Sequence, residues 1–428
     1  MVDVWLPYGK TDVCVRVPAR NLLGSIVPVQ TVGVSDVKKE FERALSEPIG
    51  GSRRLSEFIK PESKVVIVLD NDSCGCKSFS DFLLVVLAEL NAVGVVDERI
   101  TVIFGSDGFE AVASDACVVL GEEVLKRVRV VTHDVKSADL VYVGTTRSHG
   151  NKVFLNPVFV AADVRILLGG VGVHYYAGYS GGRSGVLSGV CGVETIRYNT
   201  AMMLNGNAKA GVLEDNPVHE DMTEIARLAK VDFIVNFVEN SKGELVKVFA
   251  GDLEAAFLEA VKFVNELYKI TVNSRADIVV VSAGGHLLDL TLYQACTALE
   301  NALDVVKRNG VIVLVAECSK GYGNQVFYDW MNRLTDLKST EKEIKRTFAL
   351  GGHKAYGLLK ILQNHPIILL SSLPDYYATT VFKLKTARAV NDALTEAFKL
   401  AGSASRVWTI PAGYCSLPEY KAPEDLKN

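Results

Sequence analysis

Short apolar runs rich in β-branched residues recur along the chain: KVVIVL (Lys64–Leu69), ITVIF (Ile100–Phe104), VRVVT (Val128–Thr132), VRILL (Val164–Leu168), FIVNFV (Phe233–Val238), IVVV (Ile278–Val281), VIVLVA (Val311–Ala316) and PIILL (Pro366–Leu370). Segments with apolar residues three and four apart fall between them, as at Ser80–Val93, Glu254–Leu267 and Leu292–Asn309. Strands that are apolar on both faces need cover on both faces, and intervening helices supply it. The alternation predicts an α/β fold with mostly parallel sheets. A chain of 428 residues exceeds one ordinary core, and at Tyr268–Ala276 (YKITVNSRA) a long helix ends and a fresh strand series begins. The sequence thus divides into an N-terminal α/β domain, residues 1–270, and a C-terminal α/β domain, residues 271–428.

In open parallel sheets, ligands gather outside the carboxyl ends of the strands. That rule selects five loops: DNDSCGCK after Leu69, GSDGFE after Phe104, GGVGVHYYAGYSGGRS after Leu168, SAGGH after Val281 and ECSKGYGN after Val315. The third is the richest in chemistry. Its glycines, Gly181 and Gly182 among them, allow close backbone approach and can aim several N–H groups at an anion. Arg183 offers a fork of donors for the same anion, and the field of a following helix, Glu194–Leu204, favours negative charge. His174 in this loop is the first candidate for proton transfer, and His286 in SAGGH is the second. Of the other histidines, His133 reads as a partner for backbone, His219 as part of a helix cap, and His149, His353 and His365 as loop or surface residues.

Composition narrows the partners. Lys and Arg number 46 against 50 Asp and Glu, a balance that points away from nucleic acid and from anionic membrane surfaces. The expected partner is a small-molecule carboxylate or nucleotide. Despite 49% apolar residues and a mean hydropathy of +0.20, no apolar run reaches the roughly 18 residues that span a bilayer. The N-terminus, MVDVWLPYGKTDVCVRV, has no basic stretch leading an apolar one, so a cytoplasmic location is expected. Eight cysteines without a CxxC pair indicate reduced thiols rather than a disulfide framework.

The string GGVGVHYYAGYSGGRS, with GVCGVETIRYN and LEDNPVHEDM after it, resembles the nickel-dependent lactate racemase family. The likeness extends in order through LPYGK, ALSEPIGGSRRLSEF, NPVFVAADVRILLGG, GELVKVFAGD, SAGGHLLDLTLYQA and IPAGYCSLP. It implies two α/β domains with a cleft between them. It also implies a nickel pincer mononucleotide tethered to a lysine as a thioamide, a histidine on the metal, and two histidines that exchange the substrate hydroxyl proton during hydride transfer.

Several residues depart from that pattern. Ser184 stands where the resemblance implies the tethering lysine, Thr200 where it implies the nickel-binding histidine, and Gly108 near the place of one catalytic histidine. Ser73, Cys74, Gly75 and Cys76 replace the segment carrying a substrate-binding arginine, and Thr297 replaces a lysine. His174, Asp72, Gly181, Gly182, Arg183, Tyr293 and Gln294 are retained. The expected site therefore comprises His174 and His286 for proton transfer. Asp72, Ser73, Gly181, Gly182, Arg183, Ser184, Thr200, Tyr293, Gln294 and Thr297 are the expected ligand-binding residues.

Three classes stay open. One is an isomerase-class enzyme of altered chemistry on a small hydroxy acid or carboxylate, with nickel-pincer racemisation as the parental alternative. Another is a binding protein without turnover. The third is a metalloenzyme using Cys74 and Cys76, with Cys191, Cys296 and Cys318 in or near other site loops and Lys77 as a nearby cation.

Overall fold

The computed structural model describes residues 1–69, 79–105, 113–334, 336–347 and 349–422. Asp72, Ser73, Cys74, Cys76, Lys77 and Gly108, named above, lie outside the described residues. The chain forms two compact units, one of Gln30–Asn265 and one of Met1–Val29 together with Glu266–Asn428.

The Gln30–Asn265 unit is built on a six-stranded sheet in the order Leu245–Gly251, Phe233–Glu239, Val164–Gly170, Val65–Leu69, Ile100–Gly105, Arg129–His133. All neighbours run parallel except the first two. All five residues of Val65–Leu69 are buried, which explains why the run carries no polar alternation. Phe41, Phe82 and Phe237 pack ring on ring beside this strand, with centroids 4.7 and 4.9 Å apart.

The second unit holds a wholly parallel six-stranded sheet in the order Lys385–Ala387, Ile367–Leu370, Val306–Val315, Ala276–Ser282, Val407–Ile410, Leu22–Ser25. The last strand corrects the division read from sequence: residues 1–29 pack with the C-terminal part of the chain, not with residues 30–265. The reason is physical. Leu22–Ser25 completes the sheet edge against Val407–Ile410, and the hairpin Val2–Tyr8/Thr11–Val17 buries Leu6, Val15 and Val17 against Ile278, Val280 and Val313.

All eight apolar runs fall on strands. The helix expected over Leu292–Asn309 is shorter, Leu292–Asn301. A single 3₁₀ turn follows, and the strand begins at Val306, where β-branched Val305 and Val306 favour extended backbone. Among the described residues, no helix is long and apolar enough to cross a membrane.

Candidate functional site

The glycine loop leaves the strand Val164–Gly170 and folds at once into a small antiparallel pair, Val173–His174 with Gly178–Tyr179. A short helix, Ser184–Val190, follows; the expected Glu194–Leu204 helix is Val193–Ala201 with a 3₁₀ turn after it. Gly181 and Gly182 have φ of +88° and +54°, in the left-handed region. A Cβ on Gly181 meets Val171 Cγ2 at 2.5 Å and Gly170 O at 2.9 Å, so no other residue fits there without displacing backbone.

His174 is half-buried in this pair. Its Nδ1 accepts from the N–H groups of Ala177 (3.1 Å) and Tyr176 (3.4 Å), which places the ring proton on Nε2. Tyr175 stacks on the imidazole at 4.9 Å and Tyr176 meets it edge-on at 4.4 Å. The two backbone N–H groups set the tautomer, and the two tyrosine rings hold the imidazole in one orientation. That is what a proton-transfer group requires.

Arg183 corrects an expectation. The side chain is 2% exposed, and its guanidinium donates to the carbonyls of Tyr179 (2.8 Å), Ala177 (3.0 Å) and Gly181 (3.1 Å) and to His219 Nδ1 (3.1 Å). It also lies 4.1 Å from the Phe257 ring centroid. Arg183 is thus a clamp that closes the glycine loop, not a fork presented to an anion.

The loop amides are likewise engaged. Gly181 N–H donates to Ser184 Oγ at 2.8 Å, and Gly182 N–H donates to Asn236 Oδ1 at 3.1 Å. Ser184 Oγ also donates back to Gly181 O at 3.2 Å, so its hydroxyl closes a turn. Thr200 is buried on the helix Val193–Ala201. Asn236, which sequence reading passed over, was visible as the one polar residue inside FIVNFV; buried amides need partners, and this one anchors the loop.

His219 does not cap its helix; Asn216 does, accepting from Val218 and His219 N–H groups. Burial, with the charges of Arg183 and Arg227, lowers the His219 pKa to about 3, so the ring stays neutral and accepts from Arg183. His133 is buried with Nε2 on Cys191 O, as expected of a backbone partner.

In the other unit, the turn after Ala276–Ser282 carries His286, which is exposed and donates its backbone N–H to Gly9 O. Asp289, unremarked in the sequence, ties three loops together. Its Oδ2 accepts from Gly9 N–H (2.7 Å) and Glu317 N–H (3.1 Å), and its carbonyl accepts from Cys318 N–H. Gln294 is exposed and closes a cap with Thr291 at the start of Leu292–Asn301, so its side chain first serves that helix end.

Tyr293 and Thr297, on the same helix, meet side chains of Gly352–Leu362. Tyr293 Oη lies 3.2 Å from His353 Nε2, and Lys354 Nζ donates to Thr297 Oγ1 at 2.8 Å. His353 is buried, contrary to its reading as a loop or surface residue, because the helix Gly352–Leu362 turns it inward. Burial, with the neighbouring Lys354 charge, lowers its pKa to about 3. The motif GGHK, two small residues ahead of a His-Lys pair at a helix start, was the available signal.

The two neutral histidines set an acid limit. Each has a folded pKa of about 3 against an ordinary 6.5, so the unfolded chain takes up protons first as the pH falls. Their stabilisation is present above pH 6.5 and is lost progressively as the pH falls from there towards 3. Urea unfolding across that range should show the slope, and His219→Gln and His353→Gln should each flatten it.

A thiolate site has no support among the described cysteines. Burial holds the Cys191 thiol far above its ordinary range and pushes Cys296 and Cys318 up to about 12, so all three stay protonated. Among the described residues, no cluster of three or more His, Cys, Asp or Glu could hold a metal ion.

Two units built on mostly parallel sheets with intervening helices define an α/β protein. Models of the lactate racemase N-terminal and C-terminal domains match residues 8–211 and 247–417, and the chain belongs to the lactate racemase family. It is 29% identical to the lactate racemase of Thermoanaerobacterium thermosaccharolyticum over 96% of this chain and 98% of that one. It is also 29% identical to that of Lactiplantibacillus plantarum, over 96% and 99% respectively. The lactate racemase apoprotein structure from the first organism superposes with a TM-score of 0.88 at 28% identity, covering 98% of this chain and all of that one. A Thermotoga maritima protein shares the fold, with a TM-score of 0.67 at 16% identity over 91% of this chain and all of that one.

Proposed function

We propose that this chain binds a small 2-hydroxy acid or related carboxylate and uses His174 as its acid or base, without the covalent nickel pincer mononucleotide. The observation that carries the reading is the fixed imidazole: two backbone N–H groups on Nδ1 commit Nε2 to the proton, a constraint that packing alone does not need. The residues present do not fit the tethered cofactor. The side chain at the tether position is a serine hydroxyl held in a turn with Gly181, and the metal position carries a threonine.

Intact-mass measurement and elemental analysis of the purified protein test this. An unmodified chain without stoichiometric nickel is the expected result. A nucleotide adduct together with nickel overturns it in favour of nickel-pincer racemisation. A binding protein without turnover is the second reading, favoured by the single imidazole in the glycine loop, since racemisation needs a proton carrier on each face of the carbon.

A further inference from the structure

In the second unit, two loops at the carboxyl ends of neighbouring parallel strands close on the hairpin turn at Gly9. The loop after Ala276–Ser282 brings Asp289, and the loop after Val306–Val315 brings Glu317. Asp289 is 0% exposed. Its Oδ2 takes the N–H groups of Gly9 (2.7 Å) and Glu317 (3.1 Å), whereas its buried Oδ1 has no hydrogen-bond partner. The Glu317 carboxylate lies against the same turn. A Cβ on Gly9, whose φ is +54°, would collide with both of its oxygens, so glycine is what lets the carboxylate approach.

We propose that Asp289 and Glu317 bind a hard divalent cation of the magnesium type beside this turn. Its occupancy does not depend on the 2-hydroxy acid reading. Tying the loops uses Oδ2 alone, and the amide oxygen of an asparagine would serve for that; the negative charge and the second oxygen are surplus to the tie. A buried carboxylate oxygen without a partner is destabilising, and a cation on Oδ1 supplies one.

The donors select the ion. Carboxylate oxygens suit hard cations, two carboxylates balance a charge of +2, and magnesium characteristically takes one or two carboxylates while keeping several waters. A cage of three or more His, Cys, Asp or Glu, as a transition metal would take, is absent among the described residues. The electrostatics of the turn agree. Burial raises the Tyr8 pKa, and the charges of Glu317 and Asp289 raise it further, so negative potential gathers where the two loops meet the hairpin.

Calorimetric titration of the full chain, stripped with a chelator, with MgCl2 at constant ionic strength tests the site. Wild type should bind one ion with a Kd in the low millimolar range or tighter. Its thermal unfolding should move upward with MgCl2 and not with NaCl of equal ionic strength. Glu317→Gln should weaken binding about tenfold or more. Asp289→Asn, which keeps an acceptor for the Gly9 and Glu317 N–H groups, should do the same. Wild type that shows no saturable uptake of Mg2+ overturns the proposal, and so does unchanged affinity in either folded variant. Should Asp289→Asn fail to fold, Glu317→Gln decides.

Discussion

Arg183→Met should lower unfolding free energy by roughly 3–5 kcal/mol and abolish ligand binding with it. The substitution keeps most of the buried volume but strips donors from three loop carbonyls and from His219. Each buried acceptor left unmatched costs roughly 1–3 kcal/mol, partly recovered by relaxation and by water. The cation over Phe257 is lost as well. Urea denaturation measures the stability, and proteolysis within residues 171–184 reports the loop. A protein as stable as wild type that has lost only affinity would restore the anion-fork role to Arg183.

His174→Gln has its largest expected effect on chemistry rather than on folding. Any turnover of a 2-hydroxy acid should fall by roughly 10²–10⁴, the usual contribution of a positioned acid or base. A glutamine oxygen can still accept from the Ala177 N–H, so thermal unfolding should shift little. Exchange of substrate hydrogens with deuterated solvent, followed by NMR, gives the rate. An unchanged rate removes His174 from the mechanism, and a wild-type protein that binds without exchange supports the binding-protein reading.

The strands were legible because a strand buried on both faces leaves an uninterrupted apolar run that no loop produces. Less legible was the helix Ser184–Val190, whose serines and glycines carry poor propensity and which forms because six of its seven residues are buried. Leu292–Asn309 read as one helix because Leu303 and Val306 continue its apolar spacing after the chain has already turned. The edge strands Leu22–Ser25 and Lys385–Ala387 are too short to announce themselves.

At the site, residue types could be read but partners could not. Gly181 and Gly182 were legible as glycines allowing close backbone approach; their φ values of +88° and +54° lie in the left-handed region, and their N–H groups donate to Ser184 and Asn236. Three of the atoms that Arg183 grips are backbone carbonyls, which leave no trace in side-chain identity, and Phe257 and His219 come from distant helices. Lys354 escaped notice for a similar reason: its meeting with Thr297 depends on how two helices pack, and neither segment shows this alone.

The parallel pairing of Leu22–Ser25 with Val407–Ile410 bears on how this protein emerges from the ribosome. Its opening segment must wait, edge unpaired, while nearly all of the remaining chain is synthesised, whereas Gln30–Asn265 holds a complete sheet of its own and can collapse earlier. Nascent-chain proteolysis should find the interior segment protected before the amino-terminal strands, reversing the order in which they are translated.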